Sequence, residues 1–89
     1  MTTASLSIRG LPEWLIRDYL AEMGAEPSPD GDAPRMVAPT WSVSWGRQMV
    51  QIAGGGLQLT QFDMEFRGDA AAVAEASEAF LKKAQRGGG

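Results

Sequence analysis

The chain has 89 residues, a net charge of −3 and a hydrophobic content of 44%, which fit one folded domain and argue against nucleic-acid binding. It contains no histidine and no cysteine, the residues most used as general bases, thiol nucleophiles and ligands of zinc, haem or iron–sulfur clusters. We therefore expect a cytoplasmic binding protein rather than an enzyme, with no cofactor, no metal site and no membrane-spanning segment.

The N-terminal part predicts a strand followed by a helix. Residues 5–9 alternate polar and apolar side chains, which is typical of a half-buried strand. A helix is predicted from Glu13 to Met23, since Pro12 is well tolerated at a helix start and Gly24 suits a C-terminal end. Trp14 lies at the edge of its apolar stripe. That stripe is formed by Leu15, Ile16, Tyr19, Leu20 and Met23.

The next segment predicts a connection. Residues 26–34 contain three prolines and an Asp-Gly pair, a composition that indicates an acidic loop and excludes a helix or a central strand. Arg35-Met36-Val37 is long enough for one short strand. That strand is either independent or the start of the strand that contains Trp41.

A two-residue turn at Gly46-Arg47 is the first of two hairpin turns predicted for the middle of the chain. It would place Val43 opposite Val50 and would give Gly46 a positive φ, as a type II′ turn requires. In the same register Trp45 faces Gln48. We therefore expect Trp45 to be the most exposed of the three tryptophans.

The second predicted turn lies at Gly54-Gly55. It places Ile52 opposite Leu57 and Val50 opposite Leu59, so both turns give the same apolar face and predict a three-stranded antiparallel meander. We expect a hairpin turn here and not a phosphate-binding loop, because the lysine and the glycine spacing of such loops are missing.

The last predicted strand changes parity along its length. Leu57 and Leu59 point to one face of the strand, whereas Phe62, Met64 and Phe66 point to the opposite face. A β-bulge near Thr60-Gln61 would restore one buried face, and we favour it; alternatively, the sheet is buried on different faces at its two ends. Asp63 and Glu65 share the side opposite the aromatic residues, which we expect to face solvent.

Gly68-Asp69 is predicted to end the sheet and to cap a second helix. Lys82, Lys83 and Arg86 lie at its C-terminal end, where the helix dipole favours cations. The predicted order is β-α-β(3–4)-α, an α+β two-layer fold in which two helices cover one face of a curved antiparallel sheet. The buried stripe of the second helix is Val73, Ala76, Ser77, Phe80, Leu81 and Ala84.

Three segments together resemble the C-terminal domain of MoaD-related proteins: Leu11–Leu20, Gly56–Gly68 and Arg86–Gly89. In fused members that domain follows a ubiquitin-like sulfur-carrier domain, which this sequence lacks. The resemblance implies a TBP-like β-α-β(4)-α fold and an association with molybdopterin cofactor biosynthesis. It implies no catalytic residues, and the missing carrier domain argues against a direct sulfur-carrier role.

The candidate site residues are two tryptophans and the terminal glycines. Trp14 and Trp45 are candidate interface anchors. Gly87-Gly88-Gly89 is similar to the glycine terminus of sulfur carriers, where a strand leads into the tail. Because a helix precedes the glycines here, we expect a flexible tail without that function.

The sequence supports three hypotheses for the function. The first is a non-catalytic accessory or interaction domain that binds a protein of the molybdopterin or sulfur-carrier pathway; it involves no nucleic acid or membrane and is compatible with a homo-oligomer. The second is a small-ligand-binding domain that uses the concave sheet face beneath the helices. The third is an enzyme, for which Asp63 and Glu65 would be the only reasonable site.

Overall fold

A computed structural model describes residues 1–28, 34–52 and 56–87. In this part of the chain the strands form one antiparallel sheet in the order β1-β5-β4-β3-β2, and helices α1 and α2 pack together against it. The predicted α+β two-layer class is confirmed. The elements are β1 (Thr2–Arg9), α1 (Glu13–Glu22), β2 (Glu26–Pro27), β3 (Arg35–Val37), β4 (Trp41–Ile52), β5 (Leu57–Gly68) and α2 (Ala70–Gly87).

The core lies between the helices and one face of the sheet. The apolar positions of β1 face those of β5, with Leu6 opposite Met64 and Ile8 opposite Phe62. The ring of Phe66 lies 6.0 Å from that of Phe80 on α2, which joins the two layers. The largest fully buried side chains are Phe62, Phe66, Phe80, Ile16, Leu20, Met36, Met64, Val43 and Val73.

Helix α1 ends one residue earlier than predicted, in a glycine-dependent cap. Gly24 has φ +97°, and its amide donates to the carbonyl of Ala21 at 3.0 Å. The amide of Ala25 donates to the carbonyl of Leu20, also at 3.0 Å. This pair of bonds is the Schellman motif, which requires a left-handed residue where Gly24 stands.

The predicted turn at Gly46-Arg47 is wrong. Strand β4 continues without interruption through Gly46, which has no positive φ, and Val43 lies opposite Phe66 rather than Val50. Strand β5 offers a partner of equal length, and pairing along all of it places Trp45 beside Met64 on the helix-facing side. A long non-local partner therefore overrides a local turn signal.

The register predicted from the second turn is confirmed. Ile52 pairs with Leu57 and Val50 with Leu59, while Gly54-Gly55 lies outside the described residues. The predicted bulge at Thr60-Gln61 is wrong, because the β4–β5 register runs without interruption along both strands. The apolar side chains instead change face along β5, but the stated alternative of a second buried face is wrong as well, because Leu57 on that face is 69% exposed.

The short strands at the other sheet edge revise the predicted loop. Arg35–Val37 forms the independent strand β3, which pairs with Ser42–Ser44 of β4. Glu26 and Pro27, predicted as loop, form strand β2 at the edge, where the missing amide of proline breaks no ladder. Residues 29–33 of the predicted loop lie outside the described part of the chain.

Helix α2 follows Asp69 directly, and the amide of Val73 donates to the carbonyl of Asp69 at 2.8 Å, as expected for an N-cap position. The buried stripe is confirmed at Val73, Ala76, Phe80 and Ala84. Leu81 is 38% exposed and Ser77 is only half-buried, so these two mark the border of the stripe. No helix among the described residues is long and apolar enough to cross a membrane.

Candidate functional site

The open face of the sheet, opposite the helices, carries a hydrogen-bonded polar network. Asp63 Oδ1 accepts from Ser7 Oγ at 3.0 Å and from Gln61 Nε2 at 2.7 Å, and its Oδ2 accepts from Gln48 Nε2 at 2.8 Å. Gln61 Oε1 in turn accepts from Arg9 Nε at 2.8 Å. The network joins β1, β5 and β4 across three neighbouring strands. The carboxylate of Asp63 accepts three hydrogen bonds from side chains of this chain.

The second carboxylate of the predicted acid–base pair has a separate partner. Asp63 and Glu65 share the open face of the sheet, as predicted, since Phe62 and Met64 alternate with them toward the helices. Glu65 Oε1 accepts from Arg67 Nε at 2.6 Å. The two carboxylates thus belong to different hydrogen-bonding groups, and no hydrogen bond joins them in the described structure.

A shallow cleft of about 250 Å³ lies beside Glu65, lined by Arg35, Ser42, Ser44 and Arg67. Its lining contains hydroxyl groups and two arginines. Among the described residues, no cluster of three or more aspartates and glutamates is arranged to hold a metal ion. The ion pair and the hydroxyl groups suit structural pairing of neighbouring strands.

Trp45, one of the two predicted interface anchors, is only 5% exposed, so the prediction of an exposed Trp45 is wrong. Its indole Nε1 donates to Glu13 Oε2 at 3.3 Å. The guanidinium of Arg17 lies 5.0 Å from the centre of the indole, and its Nη2 is 3.2 Å from Glu13 Oε2. Trp45 therefore fixes the first turn of α1 against the sheet.

Trp14, the other predicted anchor, is 64% exposed. It stands in the first turn of α1, next to Glu13, whose carboxylate receives the bonds from Trp45 and Arg17. The backbone that carries Trp14 is therefore held by packing and hydrogen bonds while its side chain stays in solvent. Exposed aromatic side chains on rigid elements are typical anchors of protein interfaces.

The space beneath the helices is occupied by side chains. Phe62, Phe66 and Phe80 are each at most 2% exposed, so the face predicted for a ligand is a packed core. A cleft of about 330 Å³ lies instead at the border of the helical layer, between Met23, Trp41 and the alanines of α2. This border cleft is where the ligand-binding alternative finds room.

The basic residues and the terminal glycines lie at the end of α2. Lys83 Nζ is 3.4 Å from Glu22 Oε2, and Lys82 Nζ is 3.6 Å from Glu78 Oε1, so both lysines have carboxylate partners. The helix includes Gly87, whereas Gly88 and Gly89 lie outside the described residues. A helix leads into the glycine tail, as predicted.

Two features escaped the sequence analysis. The bond from Arg9 to Gln61 depends on the register between β1 and β5, which are far apart in sequence, and the bond from Gln48 to Asp63 depends on the uninterrupted pairing of β4 with β5. Exposed Met49 and Leu57 lie where β4 and β5 extend past their neighbours, because β4 is longer than predicted. The alternation of Ser5 and Ser7 with apolar residues indicated a polar face of this strand, but it did not indicate which residues hydrogen-bond there.

The comparisons with known proteins identify the family. The family described as "Archaeal MoaD-like protein" matches residues 4–89, which is nearly the whole chain. Comparison with curated proteins gave no match. Since the family match extends from β1 through both helices, the chain belongs to the archaeal MoaD-like protein family.

Proposed function

We propose that this chain is a non-catalytic accessory domain that binds a protein of the molybdopterin or sulfur-carrier pathway. Membership of the MoaD-like family supports the pathway. The observation that carries the binding role is the exposure of Trp14, 64% of whose surface is in solvent on a firmly held helix. Tryptophan is enriched among the residues that dominate binding energy in protein interfaces.

The surroundings of Trp14 support a protein partner. Glu13 and Arg17 flank it on α1, and each is already engaged with the other and with Trp45, so their positions are fixed before binding. A preorganised surface loses less conformational entropy on association than a mobile one. An exposed indole beside fixed charges is the pattern of an apolar anchor with a polar rim.

Co-purification tests the proposal. The tagged chain is used to recover proteins from native lysate of its own organism, and we expect a molybdopterin or sulfur-carrier protein above background. Trp14→Ala should weaken binding about 30-fold or more, the effect of losing an interface hot spot. Leu57→Ala is the matched control, because Leu57 is 69% exposed but lies at the far end of the hairpin. Absence of any pathway protein, or equal recovery by Trp14→Ala, would refute the proposal.

The cleft beside Trp41 favours a second candidate function, the binding of a small ligand. Its volume of about 330 Å³ lies within the range of small-molecule sites. Titration with a panel of metabolites that includes pterins, followed by tryptophan fluorescence, tests this candidate. A saturable change that Ala79→Leu abolishes would support the cleft, whereas a flat response would exclude it.

A further inference from the structure

Strands β4 and β5 extend beyond their neighbours as a two-stranded ribbon, here called the hairpin arm (residues 47–52 and 57–60). Within the described residues, β4 pairs with β3 only as far as Ser44, and β5 pairs with β1 only from Gln61 onward. Met49 is 57% exposed and Leu57 is 69% exposed on this arm. A two-stranded hairpin alone is marginally stable in water, so the arm gains from any further strand that pairs with it.

The outer edge of β4 in the arm has no backbone partner among the described residues. Closer to the core, the carbonyl of Trp41 accepts from the amide of Ala38 at 2.8 Å, and the amide of Trp45 donates to the carbonyl of Pro34 at 3.2 Å. Odd-numbered residues of β4 thus direct their backbone groups away from β5. This direction alternates along a strand, so the backbone amides and carbonyls of Arg47, Met49 and Gln51 also point away from β5. They lie at the arm edge, which no described strand covers.

The arm also has little of the usual protection of an edge strand. Natural edges carry charges, prolines or bulges that prevent pairing with other chains. Arg47, at the base of the arm, is its one charged residue; the sequence from Gln48 to Phe62 contains no charged residue and no proline, and the arm register has no bulge. Strand β2, at one end of the sheet, is by contrast two residues long and contains Pro27. The arm edge is therefore open to an additional strand.

We propose that the arm edge pairs with the same edge of a second copy, antiparallel about a two-fold axis at Met49. This register uses all three open positions: Met49 faces Met49 of the second copy, and Arg47 faces Gln51 at each end. Each open residue supplies an amide and a carbonyl, so the two edges form six backbone hydrogen bonds. The two sheets thereby become one continuous sheet.

The side chains of the arm edge favour a second copy as the occupant. Self-pairing places each Arg47 against a glutamine amide oxygen, and the two arginines stand four residues apart along the strands, about 14 Å. No like charges face each other, which would destabilise the pairing. The contact is small, so the dimer belongs with weak, transient assemblies and forms at high protein concentration.

Substitutions at one position test the register. In sedimentation velocity up to about 1 mM protein, the mass should rise from the 9.5 kDa chain toward twice that value. Gln51→Glu places a carboxylate against Arg47 at both ends and should tighten the dimer by roughly 2- to 30-fold, whereas Gln51→Lys should weaken it by a similar factor. A greater net negative charge alone would weaken association, so tightening by glutamate requires that it face Arg47.

Gln58→Glu is the matched control, because Gln58 lies opposite Gln51 within the hairpin but one strand away from the open edge. It should leave the dimer unchanged within about two-fold. Amide hydrogen exchange supplies an independent readout: the amides of Arg47, Met49 and Gln51 should exchange more slowly as concentration rises, while those of Gln48 and Val50 should not change. A monomer at all concentrations, a shift of both Gln51 variants in the same direction, or concentration-dependent protection confined to β1 would overturn the proposal.

Discussion

Replacing Gly68 by alanine should destabilise the fold more than any other exchange of glycine for alanine in the described strands. Gly68 has φ +151°, and a Cβ there would meet the carbonyl oxygen of Thr40 and lie 2.8 Å from Cα of Trp41. Both neighbours are backbone atoms, so no side-chain rotation relieves the clash. The strained φ costs about 1–3 kcal/mol and the overpacking about 1–3 kcal/mol, which gives a loss of roughly 2–6 kcal/mol.

Urea denaturation followed by tryptophan fluorescence measures this loss. A domain of this size has about 4–13 kcal/mol of stability, so Gly68→Ala should remove a large part of it. Gly46→Ala is the control: Gly46 is also in a strand, but it has no positive φ and no atom lies within 4 Å of the added Cβ. The control should change stability by at most about 1 kcal/mol. If the free energy of unfolding of Gly68→Ala lies within about 1 kcal/mol of the unsubstituted chain, the reasoning from close backbone contact is refuted.

Three further outcomes follow from the contacts described. Trp45→Phe removes the indole bond to Glu13 and should lower the free energy of unfolding by about 1–2 kcal/mol; a change below about 0.5 kcal/mol would contradict the bond's role. Asp63→Ala leaves the buried side-chain amide of Gln61 without its acceptor and should lower the free energy of unfolding by about 1–3 kcal/mol in denaturant titration. Glu65→Ala breaks only an exposed ion pair and should lower it by less than about 1 kcal/mol. Equal losses for the two variants would contradict a stabilising role for the Asp63 network. The intact mass of a chain ending at Gly89 should not change on incubation with an adenylating enzyme, ATP and a sulfur donor. Two residues beyond the helix reach only about 7 Å, which is short for entering an active site; a gain of about 16 Da would show a thiocarboxylate.

The local parts of the fold could be predicted from the sequence. The stripe of α1, its glycine end and the pairing of Ile52 with Leu57 depend on residues close in sequence, and all agree with the structure apart from one residue at the end of α1. Glycine at position 46 was ambiguous, because glycine is accepted both in turns and in strands. Pairing with β5 decides between the turn and the strand, because β4 pairs with β5 along its whole length and Gly46 lies within that pairing.

The error at Gly46 also determined the error at Trp45. A turn at Gly46 would have placed Trp45 opposite Gln48 and in solvent, whereas the continuous strand places it opposite Met64 under α1. Trp14, predicted at the edge of the apolar stripe of α1, is the tryptophan that is exposed instead. Residues whose surroundings depend on non-local register are those that a single sequence leaves undetermined.

The order of the strands in the sheet has a consequence for how the chain folds. Strands β4 and β5 are neighbours in sequence and can pair early, whereas β1 must find β5 across the whole chain, as between Arg9 and Gln61, 52 residues apart. Closing that loop costs conformational entropy, and the contacts that offset this cost form only when β1 pairs with β5. We expect substitutions in the β4–β5 hairpin to slow folding and substitutions in β1 to accelerate unfolding, so the N-terminal strand should be the last to join and the first to detach.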